Sequence, residues 1–318
     1  MNELLIAEKP NSAIKIATAL ADDKVIKKEN KKIPYYEITH KGKKIIVGCA
    51  VGHLFGLKEI NGKGWTYPVF NFDWVPIYEI NKEAKYTKDY IETLKKLAKE
   101  SDEFTICCDY DDEGTVIGLN VIKYICKKKD ANRMKFSTLT KKELINSYEN
   151  KLKTLDWGNA NAGVARHSLD WLHGINLSRA LTLAIKNAKE GFKILSIGRV
   201  QGPTLNLIVE KEKEILAFKS IPYWQTSLSF NYNNLDLIAW HKKNAFWNKQ
   251  EAENVIKNTK NKKAIISEIT KSEIIQNPPT PFDLTTLQLE AYKTIGINPK
   301  ETLALAQNLY INGLISYP

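Results

Sequence analysis

Cysteine, methionine and long apolar runs are scarce in this chain of 318 residues. Its four cysteines include no Cys-x-x-Cys pair, which argues against a zinc site within the chain. No apolar run approaches the roughly 20 residues that a membrane-spanning helix needs. The first residues carry no basic region and no small-residue cleavage site, which disfavours a secretory signal. We therefore expect a cytoplasmic protein whose thiols stay reduced.

Acidic residues are also fewer than basic ones. Lys and Arg number 47 against 36 Asp and Glu, which gives a formal net charge of +11. A positive field of this kind concentrates polyanions, and nucleic acid is the natural candidate. The alternative is that many lysines simply lie on solvated faces, so charge alone does not decide between a nucleic-acid-binding protein and an ordinary basic one.

Strands alternate with helices along the first 150 residues. Short apolar runs at 4–7 and 104–108 are typical of buried strands, and helical patterns follow at 10–20 and 115–127. The turn residues at 41–43 indicate a hairpin between two further strands. This alternation predicts an α/β fold with a mainly parallel sheet that is covered on both faces.

The pattern changes after residue 140. Residues from about 140 to 190 are predicted to be helical, beginning at a capping-box pattern of Thr140 with Glu143. Residues 223–275 contain strand-like segments that are separated by turn residues. Prolines at 278–281 then mark a linker before two further helices.

An acidic cluster follows the apolar run that ends at Cys108. Asp109, Asp111 and Glu113 are spaced two residues apart. In an extended segment their carboxylates would share one side and could hold a hard cation such as Mg²⁺. An ordinary solvated loop is the alternative. The cluster's place at the carboxyl end of a buried strand, where open α/β sheets have their sites, favours the metal site.

Glu8 and Lys9 follow the first strand in the same way. A carboxylate at this edge could act as a general acid or base, or as a metal ligand. The lysine could neutralise a phosphate. Taken alone, the pair is more typical of a strand-to-helix turn with two surface charges.

Two polar segments are candidates for contact with phosphates. Arg199 and Gln201 lie beside glycines just before a helix, where backbone donors are also available. Arg166, Asp170 and Arg179 recur at helical spacing. A helix with a wet face is the alternative for the second group.

Tyr317 is one of 14 tyrosines, and composition alone would make it a packing residue. A phenol is a poor nucleophile at neutral pH unless positive charge and a base assist it.

Taken together, these segments resemble type IA DNA topoisomerases, closest to the topoisomerase III and archaeal topoisomerase I branch. The match covers the whole chain in the family's order. The segments that carry it are 5–10, 51–54, 109–114, 170–176 with Arg179, 198–204, 281–288 and 313–318.

The resemblance implies a multidomain, toroidal architecture. A Rossmann-like Toprim domain is expected over 1–150, followed by the first half of a helical domain over 151–218. The first part of a β-rich arch domain is expected over 219–277, and the start of the tyrosine-bearing helical domain over 278–318.

The resemblance also implies a reaction. Tyr317 would attack one DNA strand and form a 5′-phosphotyrosyl bond; a strand would pass, and the break would be resealed without ATP. Asp109 and Asp111 match the Mg²⁺ ligands, with support from Glu113. Glu8 matches a proton donor beside the scissile phosphate and a further metal ligand, and Lys9 matches the lysine that stabilises the phosphate. The residues expected around the DNA strand are His53, Arg166, Asp170, Arg179, Arg199 and Gln201.

One departure from the family bears on activity. The family's tyrosine is followed by an Arg-Thr pair, whereas this sequence stops at Pro318. We expect one subunit of a split topoisomerase, with a second polypeptide carrying the C-terminal half. A truncated portion and a non-catalytic DNA-binding Toprim protein are the alternatives. The topoisomerase part of a reverse gyrase is a further alternative, and a Toprim nuclease or primase is a more distant one.

Overall fold

A six-stranded sheet organises the first part of the computed structural model, which describes residues 2–62, 64–188 and 193–318. The strands of the chain are β1 (Asn2–Ala7), β2 (Ile26–Asn30), β3 (Ile33–His40), β4 (Lys43–Cys49), β5 (Phe55–Glu59), β6 (Phe72–Pro76), β7 (Glu103–Cys107), β8 (Asn132–Arg133), β9 (Ser227–Tyr232) and β10 (Leu235–Trp240). The helices are α1 (Pro10–Leu20), α2 (Thr87–Lys99), α3 (Asp112–Asn120), α4 (Lys141–Glu149), α5 (Trp157–Asn187), α6 (Gln201–Ala217), α7 (Lys249–Thr259), α8 (Leu284–Ile295) and α9 (Pro299–Ile311).

The order of the large sheet is β2-β3-β4-β1-β7-β8. Strands β4, β1, β7 and β8 run parallel, and β2 and β3 are added antiparallel at one edge. The predicted mainly parallel sheet and the β3–β4 hairpin are therefore confirmed. Leu4, Leu5 and Ile6 of the central strand β1 are fully buried, as a sheet covered on both faces requires. The edge strand β2 exposes its lysines, which discourages pairing with another chain.

The sheet separates two apolar layers. One layer packs the sheet against α2 and α3 and contains Cys108 and Cys126. The other packs it against α1 and α4 and contains Cys49 and Cys107. The adjacent cysteines thus lie on opposite faces, as predicted, and all four thiols are free and buried. Burial raises the pKa of Cys49 to about 11 and that of Cys126 to about 12.

The predicted capping box at the start of α4 is wrong. Thr140 occupies the N-cap position, but its side chain caps no backbone amide of the helix. The Glu143 carboxylate instead accepts hydrogen bonds from the backbone amide and hydroxyl of Ser137 and from the hydroxyl of Thr138. The Glu143 carboxylate, which a capping box would pair with the backbone at the helix start, is therefore used by donors in the preceding loop.

The chain forms two compact units, Met1–Gly202 with Pro281–Pro318, and Pro203–Thr280. In the second unit β9 and β10 form an antiparallel hairpin whose turn residues Asn233 and Asn234 have positive φ. The predicted strands of this region are confirmed, but helix α7 interrupts it. The start of this helix is capped by the side chain of Asn248. Among the described residues, none of the helices is long and apolar enough to cross a membrane.

Candidate active site

The carboxyl ends of β1 and β7 bring two acidic segments together. These strands are parallel neighbours in which Ala7 pairs with Cys107, so Glu8 and Asp109 follow at the same edge of the sheet. Lys9 Nζ lies 3.1 Å from Glu8 Oε1 and 3.3 Å from Asp109 Oδ2. The structure therefore joins the two segments that the sequence identifies 100 residues apart.

The charges at this edge are coupled. Burial, together with the negative charge of Asp109, raises the pKa of Glu8 above its usual range, although Lys9 opposes the shift. Burial works to lower the pKa of Lys9, but Glu8 and Asp109 outweigh it and raise that pKa. Lys9 thus stays charged between two carboxyl groups, and the Glu8 carboxyl group binds its proton more tightly than an ordinary one does.

The acidic cluster divides because a helix begins inside it. Asp111 is the N-cap of α3, and its Oδ1 accepts a hydrogen bond of 2.6 Å from the Gly114 amide. Asp109 precedes the helix and is buried, whereas Glu113 already lies in the first helical turn. The extended segment expected to put three carboxylates on one side is therefore not found. A helical turn rotates successive side chains by about 100° rather than alternating them.

Glu113 consequently belongs to a different network. Its Oε2 lies 2.8 Å from His53 Nε2 and 3.0 Å from His167 Nε2, and its Oε1 is 3.8 Å from Arg166. Burial lowers the pKa of His53, although Glu113 opposes that shift. His53 was expected near DNA, and here its ring contacts this carboxylate.

Tyr317 reaches the aspartates from the far end of the chain. Its hydroxyl donates a hydrogen bond of 2.5 Å to Asp111 Oδ2, and its backbone amide donates to Ser137 O at 2.8 Å. Burial, reinforced by the Asp111 carboxylate, raises the pKa of the phenol. Two anchors, one on the backbone and one on the side chain, thus place the candidate nucleophile on the acidic cluster.

A second tyrosine, which was not predicted from the sequence as a site residue, lies beside the first. Tyr310 is buried, and its hydroxyl donates to Asp109 Oδ1 at 3.0 Å. The two rings meet edge to face, with centroids 5.2 Å apart. Thr302, Ala306 and Tyr310 recur every four residues and form the buried face of α9. That periodicity is the signal that could have marked Tyr310.

Arg133 is also missing from the predicted site. It is fully buried, and its guanidinium donates to the carbonyl oxygens of Cys108 at 2.7 Å and Asp109 at 2.8 Å. These carbonyls directly follow strand β7, so the arginine fixes the backbone from which Asp109 projects. A single Arg between Asn132 and Met134 carries no motif that would mark it as a site residue.

The residues predicted to contact DNA fall into separate groups. Arg199 donates to Asp170 Oδ2 at 3.4 Å, and Arg166 lies 4.0 Å from the same carboxylate. Gln201 starts α6 and is exposed. Arg179 instead donates to Glu59 Oε2 at 2.6 Å and to Thr66 O at 2.8 Å, and it is mostly buried there.

Comparison with known proteins decides the family. The model of the Toprim domain matches residues 3–139, and the model described as DNA topoisomerase matches residues 154–318, more than half of the chain. The chain belongs to the type IA DNA topoisomerases. The resemblance found in the motifs is thereby confirmed.

Archaeal topoisomerases are among the similar sequences. The chain is 48% identical to DNA topoisomerase 1 of Pyrococcus horikoshii over 99% of its own length and 46% of that protein. It is 49% identical to DNA topoisomerase 1 of Methanocaldococcus jannaschii, covering all of the chain and 41% of that protein. Full-length topoisomerase I of Thermotoga maritima matches 97% of the chain at a TM-score of 0.67 and 25% identity, and the chain covers 46% of it. This topoisomerase chain thus spans less than half the length of these relatives.

The strand-end cluster has the donor chemistry of a hard cation site. Asp109, Asp111 and Glu8 offer carboxylate oxygens only, and Mg²⁺ prefers one or two carboxylates together with water and phosphate oxygens. Each oxygen of the two aspartates accepts one hydrogen bond from the groups described above, which leaves it a lone pair. In this topoisomerase chain the cluster therefore fits Mg²⁺.

Proposed function

We propose that this chain carries the DNA-cleaving site of a type IA topoisomerase. The reaction is Mg²⁺-dependent cleavage of one DNA strand through a 5′-phosphotyrosyl bond on Tyr317, strand passage and rejoining, which relaxes negatively supercoiled DNA without ATP. The observation that carries the proposal is the hydrogen bond between Tyr317 and Asp111, which are 206 residues apart in the chain. Tyr310 makes a similar hydrogen bond to Asp109, but it is fully buried, whereas Tyr317 is only partly buried and so stays accessible to a substrate.

The side chains supply the proton movements of this reaction. The Tyr317 oxygen attacks phosphorus, its O–P bond forms, and the bond between phosphorus and the 3′-oxygen breaks. The phenolic proton passes to Asp111, which already accepts its hydrogen bond. The leaving 3′-oxygen takes a proton from Glu8, which the raised pKa suits to general acid catalysis. Lys9 offsets the negative charge that develops on the phosphate.

Asp109 and Asp111, together with Glu8, would hold the Mg²⁺ ion. When bound, the ion supplies positive charge against the phosphate oxygens. Arg133 and Tyr310 act on Asp109, the first through its backbone carbonyl and the second through its carboxylate. We interpret both as positioning residues.

DNA contacts are proposed for Arg166, Arg199 and Gln201. Both arginines are half exposed and share Asp170, so a phosphate can compete for them at the surface. Arg179 has a structural role in this proposal, because its guanidinium is occupied by Glu59 and by a backbone carbonyl. His53 likewise acts through Glu113.

A C-terminal half is part of the proposal, whether it is a second polypeptide or further chain. Strands β9 and β10 expose their side chains on both faces, and a two-stranded hairpin is marginally stable without a partner. The proposed split between polypeptides, the cytoplasmic location and the domain bounds at 150, 218 and 277 stay predictions.

A covalent-adduct assay tests the function. A single-stranded oligonucleotide labelled at its 3′ end is mixed with the chain and Mg²⁺, with and without a polypeptide that supplies the C-terminal half. The label remains with the protein only if the tyrosine is joined to the 5′-phosphate of the downstream fragment, because that fragment carries the labelled 3′ end. We expect an adduct when both halves are present.

Tyr317→Phe is the decisive variant in this assay. Removing the hydroxyl removes the nucleophile but keeps the ring, so we expect no adduct and nearly unchanged binding of the oligonucleotide. Tyr292→Phe is the control, because Tyr292 is exposed on α8 and should leave the adduct intact. An adduct that survives in Tyr317→Phe would remove Tyr317 as nucleophile. Oligonucleotide binding without an adduct from wild-type protein and its second half would favour a non-catalytic DNA-binding protein.

A further inference from the structure

Glu113, His53 and His167 form a cluster apart from the carboxylates of the strand-end site. One oxygen, Glu113 Oε2, lies within hydrogen-bond distance of both imidazole nitrogens, 2.8 Å from His53 Nε2 and 3.0 Å from His167 Nε2. One ligand atom from each of the three residues lies within 4.8 Å of the other two. Three potential metal ligands therefore converge on one point.

Three separate elements create this convergence. Glu113 lies in the first turn of α3, His167 on α5, and His53 in the loop after β4. Helix α5 approaches α3 closely at Gly163, where a Cβ atom would lie 2.5 Å from Val116 Cγ2. Position 163 is one helical turn before His167, so the close packing of the backbones sets the histidine's distance from Glu113.

The ring orientations are also fixed by packing. The His53 and His167 rings meet edge to face with centroids 5.0 Å apart, and Trp74 contacts His167 at 5.5 Å. Arg166 lies 3.8 Å from the other carboxylate oxygen, Oε1, and so leaves Oε2 to the imidazoles. Two Nε2 atoms and one carboxylate oxygen are thus presented to one another by side chains that need little rearrangement to bind an ion.

We propose that His53, Glu113 and His167 bind a borderline divalent cation, Zn²⁺ or Co²⁺, at a site distinct from the Mg²⁺ site. Two imidazoles and one carboxylate are a donor set that suits such ions, whereas Mg²⁺ prefers oxygen ligands alone. The lack of a Cys-x-x-Cys pair in the sequence does not bear on this site, because its proposed ligands include no thiolate. Three protein ligands leave one position for water.

The ion would tie the loop after β4, helix α3 and helix α5 to one another. Since Asp111 is the N-cap of α3, the same ion would also fix the start of the helix beside one of the proposed Mg²⁺ ligands. Metal binding at this site can be measured without DNA, so its test does not depend on the cleavage reaction. If the chain fails to cleave DNA, metal binding by His53, Glu113 and His167 can still be tested.

Cobalt binding provides the test. The full chain is freed of metal with a chelator, supplied with excess Mg²⁺ to saturate the carboxylate site, and titrated with Co²⁺ while the visible spectrum is recorded. We expect one Co²⁺ per chain with the intense visible bands of a four-coordinate ion. Thiolate-to-cobalt absorption in the near ultraviolet should be missing. Zn²⁺ should displace the cobalt and raise the midpoint of thermal unfolding.

Variants locate the ion. His53→Gln, His167→Gln and Glu113→Gln should each weaken Co²⁺ binding by at least about tenfold, since loss of an outer partner alone costs about 10–100-fold. His241→Gln, in the second unit, is the matched control and should bind as wild type does. Asp109→Asn combined with Asp111→Asn should also retain the cobalt spectrum. Circular dichroism verifies that each variant is folded.

Three results would overturn the proposal. The first is a folded wild-type chain that shows no four-coordinate cobalt spectrum. The second is equal binding by wild type and the three ligand variants. The third is loss of the spectrum in the Asp109 and Asp111 double variant, which would place the ion among the carboxylates.

Discussion

Tyr317 has a raised pKa, so its hydroxyl keeps its proton in the arrangement described here. A nucleophile of this kind depends on groups that remove the proton and offset the charge that follows. Asp111 is positioned for the first task, and Lys9, which is held charged by two carboxylates, for the second. The reactivity of the phenol therefore resides in its neighbours, and two predictions follow at the scale of single residues.

Glu8→Gln should slow formation of the covalent adduct by about 100-fold or more, because an amide has no acidic proton to give to the leaving oxygen. A general acid works in its protonated form, so wild-type cleavage should decline as pH rises through the elevated pKa of Glu8. The variant should lack that decline. Single-turnover adduct formation across a pH series, with the C-terminal half present, measures both.

Glu29→Gln, on the exposed edge strand β2, is the control for Glu8→Gln and should follow the wild-type profile. A Glu8→Gln enzyme with wild-type rate and pH dependence would show that another group protonates the 3′-oxygen.

Tyr310→Phe should lower the free energy of unfolding by about 2 kcal/mol. The ring and its packing are kept, but the buried Asp109 carboxylate loses one donor, and hydrogen bonds to charged groups contribute about 1.5–3 kcal/mol. Urea unfolding measures the change. Tyr292→Phe, at an exposed site of α8, should change stability by less than about 0.5 kcal/mol. Equal stability of the two variants would mean that the Tyr310 hydroxyl does not support Asp109.

Charged groups lie at both ends of the central strands of the sheet. At the end opposite the candidate active site, Glu3 of β1 is fully buried and accepts hydrogen bonds of 2.6 Å from Lys43 and Lys151. Burial works to raise the pKa of Glu3, but the hydrogen bonds from Lys151 and Lys43 outweigh it and lower that pKa. The start of the central strand is thus fixed by a buried ionic network.

Glu3→Gln should lower the free energy of unfolding by about 3 kcal/mol at neutral pH, because Lys43 and Lys151 lose their buried carboxylate partner. Among the described residues, these lysines then keep only Glu103 as an ion-pair partner, at 2.5 Å and 3.9 Å respectively. The folded pKa lies below the ordinary value of 4.5. The contribution of the carboxylate is therefore complete above that value and is lost as pH falls through the folded pKa.

The difference between wild type and Glu3→Gln should accordingly shrink in acid, and urea unfolding at neutral and acidic pH measures it. The surface variant Glu29→Gln should show little difference at either pH. A difference for Glu3→Gln that persists unchanged in acid would trace the loss to shape rather than to charge.

The elements differ in how well the sequence predicts them. Helix α1 begins at Pro10 and ends at Leu20 as predicted, because proline suits a first turn and the apolar spacing is regular. The π-helix at Val121–Ile125 falls inside a predicted α-helix, since hydrophobic period does not report a widened turn. The same limit explains Glu113. The spacing between Asp111 and Glu113 is visible in the sequence. The position of the Glu113 carboxylate, however, depends on the residue at which α3 starts.

Tertiary placement is the harder part of the site. Glu8, Lys9, Asp109 and Asp111 are found together because parallel strands align their carboxyl ends, a rule that the sequence pattern can use. Arg133 and Tyr310 are missed because their roles depend on carbonyl and carboxylate groups brought near by folding.

At the scale of the whole molecule, the net charge of +11 predicts salt-sensitive binding of single-stranded DNA. The logarithm of affinity should fall linearly with the logarithm of salt concentration, by about 0.7 for each phosphate neutralised. Fluorescence anisotropy of a labelled oligonucleotide measures the slope. Arg199→Ala should reduce it by about 0.7, the share of one phosphate.

Lys28→Ala is the control for the salt series, because Lys28 lies on β2 and is paired with Glu37. It should leave the slope unchanged. An Arg199→Ala slope that matches wild type would exclude Arg199 from the phosphate contacts.

The four buried thiols can be used to follow the opening of the Toprim sheet when the domain unfolds. Cys108 and Cys126 belong to one apolar layer and Cys49 and Cys107 to the other, and all four are buried. A maleimide-type reagent can alkylate a thiol only after the layer around it has opened to solvent. The order in which the two pairs become labelled would therefore reveal which side of the sheet separates first when the domain unfolds.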